Sequence, residues 1–349
     1  MTTTRRATIS DVAREAGVSP STASVVFSGK TPVSDVTRRR VQAAAAELGY
    51  TGPDPRAASL RRGRSGIVGV VVGSSLKDLF LDPVQRLLMD GLAEAVAPLG
   101  AGLLLLRRGS DVDNAPSLMT APVDAAVLLS CDSATRDTLP EVTARGIPIV
   151  VVEGDAGPGV PRVALDNRDA QRQAAEHLRA LGHTDVAIVT LWQDERATRG
   201  FISPSAAIGV EVTRERLEGA RDVYPDAPAL ATAASSIDEG LAAGRVLFAD
   251  PDRRPTAVIA QSDLLAAGVI RAAEEAGLRV PADVSVTGFD GVPVDGLAPY
   301  ELTTLVQDAT GKGHAAGLAV AALLDGERAA SVLLTCRFRP GNTTAPAPR

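Results

Sequence analysis

Aromatic side chains are scarce: six Phe, three Tyr and one Trp make up 3% of 349 residues. A core must therefore be assembled mainly from Ala, Val, Leu and Ile. The two cysteines, Cys131 and Cys336, lie far apart, which argues against a disulfide framework or a thiolate metal site. Ser130-Cys131-Asp132 has no histidine nearby in sequence to activate a nucleophile. His177, His183 and His314 lack metal-ligand spacing, and structural roles are expected for the first two. Gly154-Asp155-Ala156-Gly157-Pro158-Gly159 is interrupted by proline and cannot open a helix as a phosphate cradle must. No catalytic residue, metal site or cofactor is therefore expected. No apolar run approaches the ~20 residues of a membrane span. The opening segment has no apolar core of a secretion signal, so the expected compartment is the cytoplasm, with no membrane partner.

What is present is a chain of ordinary globular composition, 45% hydrophobic and 22% charged, long enough for two or three folding units. Its charge is uneven. Residues 1–65 carry eleven basic and five acidic side chains, a net +6; the other 284 carry 25 and 37, a net −12. A small basic head on a large acidic body fits a polyanion-binding module tethered to something else. Arginine outnumbers lysine 33 to 3, with lysine only at positions 30, 77 and 312.

The head reads as three short helices. Thr8-Ile9-Ser10-Asp11 is a helix start signal, and Ile9, Val12, Ala13 and Ala16 form one apolar stripe. Gly17 stops that helix, and Ser19-Pro20 starts a second, running to about Phe27 and burying Ala23, Val26 and Phe27. Ser34 caps a third, with Val41, Ala44, Ala45 and Leu48 facing inward. Two helices joined by Gly17-Val18-Ser19 form a helix-turn-helix pattern, whose second helix fits a DNA major groove. The small residues Ser21, Thr22 and Ser24 suit close approach to DNA. The plainer alternative is a generic three-helix bundle. Residues 53–65 read either as a flexible linker or as a hinge that folds on DNA and inserts Leu60 between base steps of the minor groove.

From Ile67 the pattern alternates strand and helix. Strands are expected at Ile67–Val72, Ala101–Leu106, Val123–Leu129, Ile147–Val152, Val186–Leu191, Thr256–Ala260 and Val284–Thr287, with late ones at Leu302–Val306 and Val332–Phe338. Alternation predicts an α/β core of doubly wound parallel sheets, and 284 residues favour two lobes with a ligand cleft at the carboxyl ends of the strands. Polar residues following strands are site candidates: Glu153, Trp192, Ser262, Asp263 and Asp290.

These features resemble the lac repressor/galactose repressor family of bacterial transcription regulators over nearly the whole chain. The likeness rests on Thr8–Ala13, Ala16–Ser19, Ser21–Ser24, Ala46–Tyr50 and Ala57–Leu60 in the head. In the body it rests on Glu176-His177-Leu178, Arg216–Gly219, Pro281–Asp290, Leu302-Thr303-Thr304 and Gln307-Asp308. It implies a helix-turn-helix head over 1–52, a hinge helix over 53–65 and a two-lobe periplasmic-binding-protein-like core over 66–349. The first lobe would hold about 66–165 and 294–325, the second about 166–293 and 326–345. The function implied is that of a repressor, binding a palindromic double-stranded operator as a homodimer under control of a small effector, a carbohydrate. Pro20, Ser21 and Val25 would read bases and Leu60 would be the wedge, with Thr8, Ser19, Thr22, Ser24, Lys30 and Ala57 completing the DNA-facing set. Asp169, Arg216, Ser262 and Asp290 would hold the effector, and Trp192 could cover a sugar face.

The chain departs from the family pattern at Val25, where Arg is usual, and at Ser262, where Asn is usual. The hinge has one extra residue at Gly52-Pro53, and the loop 193–215 is long. The carboxyl terminus has no leucine heptads, so a dimer formed through residues 66–165 is expected rather than a tetramer. A solute-binding protein and a sugar-processing enzyme on the same core are the alternatives.

Overall fold

The structure, a computed structural model, describes residues 7–29, 31–52, 63–72, 76–107, 117–130, 133–194 and 196–348. Lys30, Cys131 and the hinge positions Ala57 and Leu60 lie outside the described residues. The chain divides into two compact units, Met1–Ser65 and Gly66–Arg349.

The first unit contains helices α1 (Ile9–Glu15), α2 (Pro20–Ser28) and α3 (Asp35–Glu47). Thr8 caps α1 reciprocally: Asp11 N–H donates to its hydroxyl at 3.3 Å, and Thr8 N–H donates to the Asp11 carboxylate at 3.0 Å. Gly17 turns the chain at φ +61°, and Ser19 caps α2 by accepting from Thr22 N–H at 3.1 Å. Val12, Ala13, Ala16, Ala23, Val41, Ala44 and Ala45 form the buried centre, closed by Phe27 edge-on to Tyr50 at 5.2 Å. Leu48 departs from the expected apolar stripe. It stands at the C-cap, past the last full turn of α3, and is 37% exposed.

Along the second unit run β1 (Ile67–Val72), α4 (Leu76–Leu81), α5 (Pro83–Val96), β2 (Gly102–Arg107), β3 (Ala125–Leu129), α6 (Ser133–Ala144), β4 (Ile149–Val152) and β5 (Arg162–Leu165). Then come α7 (Asn167–Ala180), β6 (Val186–Thr190), β7 (Gly200–Phe201), α8 (Glu211–Arg221), β8 (Ala229–Ala231), α9 (Ile237–Leu247), β9 (Ala257–Ala260), α10 (Asp263–Glu275) and β10 (Ser285–Thr287). β11 (Thr304–Val306), α11 (Ala309–Leu324), β12 (Val332–Leu334) and β13 (Arg337–Arg339) follow. One lobe is built on a parallel sheet of order β12-β5-β4-β3-β1-β2. The other is built on β10-β9-β6-β8-β7, parallel except for the edge strand β7. Near-continuous burial of β1, β3, β4, β6 and β9 explains their unbroken apolar sequences, since helices cover both faces of such sheets.

The chain crosses between lobes after β5, after β11 and between β12 and β13, and the antiparallel pair β11–β13 lies at the crossings. This corrects the expected lobe boundaries. β12 belongs to the first lobe, because Val332–Leu334 extends its sheet beside Val163–Leu165. Leu302 and Thr303 belong to the second: Leu302 packs in its core and Thr303 bridges Thr287.

In the first lobe α5 and α11 touch backbone to backbone. A Cβ on Gly313 would stand 1.9 Å from Leu88 C=O, and one on Gly91 2.0 Å from Thr310 C=O. In the second lobe the carboxyl-terminal residues lie as a strap. Thr343 exchanges hydrogen bonds with Val286 (2.7 and 2.8 Å), His183 sits 3.0 Å from both Thr256 Oγ1 and Ala345 C=O, and His177 Nε2 is 3.0 Å from Thr344 Oγ1. Burial holds both imidazoles below the usual range, with the neighbouring His183 charge adding to the effect at His177.

Two outcomes follow for stability. Gly313→Ala should force the helices apart and destabilise the second unit by about 1–3 kcal/mol, read as a lowered thermal midpoint. Because the folded histidines bind protons more weakly than the unfolded ones, their stabilisation is complete above about pH 6.5 and is lost as pH falls through their folded values. His183→Gln should lower the midpoint at pH 7.5 and flatten its decline on acidification; an unchanged pH slope would contradict the assignment.

Candidate functional site

At the carboxyl ends of the strands, where the crossings meet, six buried or half-buried side chains close a ring of polar contacts. Arg216 of α8 is 3% exposed. Its Nε donates to Asn167 Oδ1 at 2.9 Å, its Nη1 donates to Gln261 C=O at 2.6 Å and lies 3.5 Å from Asp290 Oδ1, and its guanidinium stacks 3.5 Å over the Phe289 ring. Asp290 accepts from Gln307 Nε2 at 2.6 Å. Gln307 Oε1 accepts from Lys312 Nζ at 2.7 Å, and Lys312 also donates to Glu153 Oε2 at 2.6 Å. Glu153 Oε1 accepts from Asn167 Nδ2 at 3.2 Å, which returns the circuit to Arg216.

Topology explains this meeting. Glu153 follows β4 and Lys312 rides α11, both in the first lobe; Arg216 and Asp290 belong to the second. The two amides sit at crossings, Asn167 at the start of α7 and Gln307 just after β11. Both ring carboxylates stand on backbone that side chains seldom adopt, Glu153 at φ +51° and Asp290 at φ +109°. Such strain persists where surrounding structure over-determines it, typically at binding sites.

Electrostatics separates the two acids. Burial pushes Glu153 up, but the Lys312 and Arg216 charges outweigh it and hold the carboxyl below its ordinary range. Burial pushes Asp290 well above the ordinary range, against the pull of Arg216 and with the push of Asp263 and Asp82. Asp82 caps α5 through Val84 N–H at 2.8 Å, and burial raises it too. Asp263 is pushed up to about 7 by burial, although it accepts from Thr304 Oγ1 at 2.6 Å and Val292 N–H at 2.8 Å.

Of the expected effector residues, Arg216 and Asp290 are brought together. Ser262 is buried and caps α10, accepting from Leu265 N–H (3.2 Å) and Ser235 Oγ (2.9 Å), while the adjacent Gln261 C=O meets Arg216. Trp192 is half-buried against the second-lobe core, and its carbonyl accepts from Thr213 Oγ1 at 2.8 Å. Asp169 does not join the site. Asn167, Ala170, Gln171 and Ala174 form the buried face of α7, which leaves Asp169 outside, bonded to Arg172 and Gln173. Asn167, Gln307 and Lys312 were missed as members of the ring. The available signal was a lysine set between two glycines in a chain that almost never uses lysine.

In the separate amino-terminal unit, Thr8, Ser19, Pro20 and Ser21 are exposed, whereas Thr22, Ser24 and Val25 are half-buried. The Ser19 hydroxyl lies 2.8 Å from both Ser21 Oγ and Thr22 Oγ1, so the first turn of α2 presents a tight hydroxyl cluster. Among the described residues, no helix is long and apolar enough to cross a membrane, and no cluster could hold a metal ion.

Comparison with known proteins agrees with this architecture. A family model for bacterial regulatory proteins of the lacI family matches residues 8–52, and one for a periplasmic binding protein-like domain matches 175–344. The chain is 36% identical over 327 residues to an HTH-type transcriptional regulator of Mycobacterium tuberculosis, covering 90% of each. Among solved structures, a complex of the transcriptional regulator CelR with cellobiose superposes with a TM-score of 0.67 at 26% identity, covering 97% of this chain and 100% of that one. The lac repressor dimer bound to operator and the anti-inducer ONPF shares the fold, with a TM-score of 0.76 at 24% identity over 98% and 100%. With a helix-turn-helix head, a two-lobe core of parallel sheets and this identity over nine-tenths of its length, the chain belongs to the lacI family of bacterial regulatory proteins.

Proposed function

We propose that this DNA-binding transcriptional regulator is a repressor that grips a palindromic operator as a homodimer and is switched by a small polyhydroxylated effector in the cleft between the lobes. The observation that carries the reading is the polar ring: it alternates charged donors, carboxylates and amides, and it draws members from both lobes and from two crossings. Hydroxyl groups accept from cations and donate to carboxylates through charge-assisted hydrogen bonds, so such a ring suits a sugar. CelR, a relative in fold, was solved with cellobiose. Arg216, Asp290, Ser262 and Trp192 are the proposed effector contacts. A ligand that exchanges bonds within the ring favours one lobe arrangement over another, and that difference in affinity is what coupling to DNA requires. The protein acts by binding rather than turnover.

Thr8, Ser19, Pro20, Ser21, Thr22, Ser24 and Val25 form the proposed major-groove face; Lys30 and Ala57 complete the DNA-facing set and Leu60 is the minor-groove wedge, all three outside the described residues. Phe80 and Leu81, 58% and 62% exposed on α4, support dimerisation through the first lobe.

Gel-shift titration against the DNA upstream of its own gene tests the reading. Affinity should fall steeply with salt as phosphate neutralisation releases counterions. Leu60→Ala should weaken operator binding more than binding to unrelated DNA; equal losses would remove the wedge role. Arg216→Met should weaken the sugar response by about ten-fold or more, consistent with ~1.5–3 kcal/mol for a hydrogen bond to a charged group. An undiminished response would exclude Arg216 from the effector site.

A further inference from the structure

The ring contains a residue whose presence folding does not explain. Lys312 lies in a helix whose other buried residues are Ala309, Gly313, Ala316, Gly317, Ala319 and Val320, and it is 0% exposed. It is one of three lysines against 33 arginines, so the chain uses a compact ammonium here where it nearly always uses a guanidinium. A buried ion pair gains little over apolar residues of similar volume, so stability does not account for it. Its two neighbours on the helix are closely packed. Gly313 abuts Leu88 C=O, and a Cβ on Gly311 would stand 2.1 Å from the Asp308 carboxylate. An ammonium carries three N–H donors, and among the described residues two are engaged, by Glu153 and Gln307. One donor is therefore uncommitted among the described residues, directly beside an acceptor. Beside it the Glu153 carboxylate, held ionised by the cations, opposes an incoming anion.

Resting on the effector-cleft reading above, we propose that Lys312 is the specificity-determining residue of the cleft. Paired with Glu153, it reads an uncharged hydroxyl, which accepts from the ammonium and donates to the carboxylate, and the Glu153 carboxylate rejects the carboxylate or phosphate ester of the same sugar. A hydroxyl satisfies both partners at once; an anion satisfies only the lysine.

The test is thermal-shift titration of the full chain with neutral sugars and polyols, ribose and cellobiose included, and with sugar acids and sugar phosphates. A true ligand raises the melting temperature by mass action. Wild type should respond to a neutral member and at least ten-fold more weakly to its charged analogues. The variant compared with it is Lys312→Met/Glu153→Gln, which removes both partners of the pair and leaves neither as a lone buried charge. It should bind the neutral ligand at least ten-fold more weakly and lose the preference for neutral over charged. A double variant with a lower melting temperature but the wild-type preference would reduce Lys312 to a structural role and overturn the inference, leaving the effector cleft standing. So would a wild type that favours the charged analogues. A wild type that responds to none of the compounds would overturn the cleft reading and this inference with it.

Discussion

Two cations without access to water hold the centre of the second unit, and their pairing is the constraint on which the rest depends. Arg216 and Lys312 sit on different lobes, and each is tied to a carboxylate and an amide. An unpaired buried charge is costly, so the ring must close or reorganise as a whole. That couples the lobes more tightly than apolar contact would, because hydrophobic surfaces slide whereas hydrogen-bonded charges exchange partners discretely. The crossings bring Asn167 and Gln307 to the same point, so any hinge motion passes through their bonds.

The acids around the ring share this logic. Glu153 is kept ionised by the cations, whereas burial raises Asp290, Asp263 and Asp82. One cluster therefore contains a firm acceptor beside acids that hold protons more readily than usual. Hydroxyl recognition draws on both behaviours, since a sugar hydroxyl serves as donor to one partner and acceptor from the next.

Local chemistry made some parts of this protein readable and left others obscure. The head was legible because caps and stops are local: Thr8, Gly17 and Ser19 act on residues within four positions. The buried parallel strands were legible as apolar runs, but β5 and β8 are so short that Arg162–Leu165 and Ala229–Ala231 carry no periodic signal. At the site, residues just beyond strands could be named, and Glu153, Asp290 and Ser262 do lie there. Asp169 stands outside the ring: resemblance gives a position without showing which face of the helix it occupies. Lys312 stayed hidden because only the third dimension places α11 beside Glu153, 159 residues away in sequence.

The interleaving of the lobes has a consequence for how the molecule can be divided. β12 completes the first sheet, yet a few residues later the chain is stitched onto the second lobe through Thr343, His177 and His183. Neither half of the core is a contiguous stretch of polypeptide, so neither can be cut out and expressed alone with its sheet intact. Shortening the carboxyl end by some twenty residues would strip one partner in both halves at once.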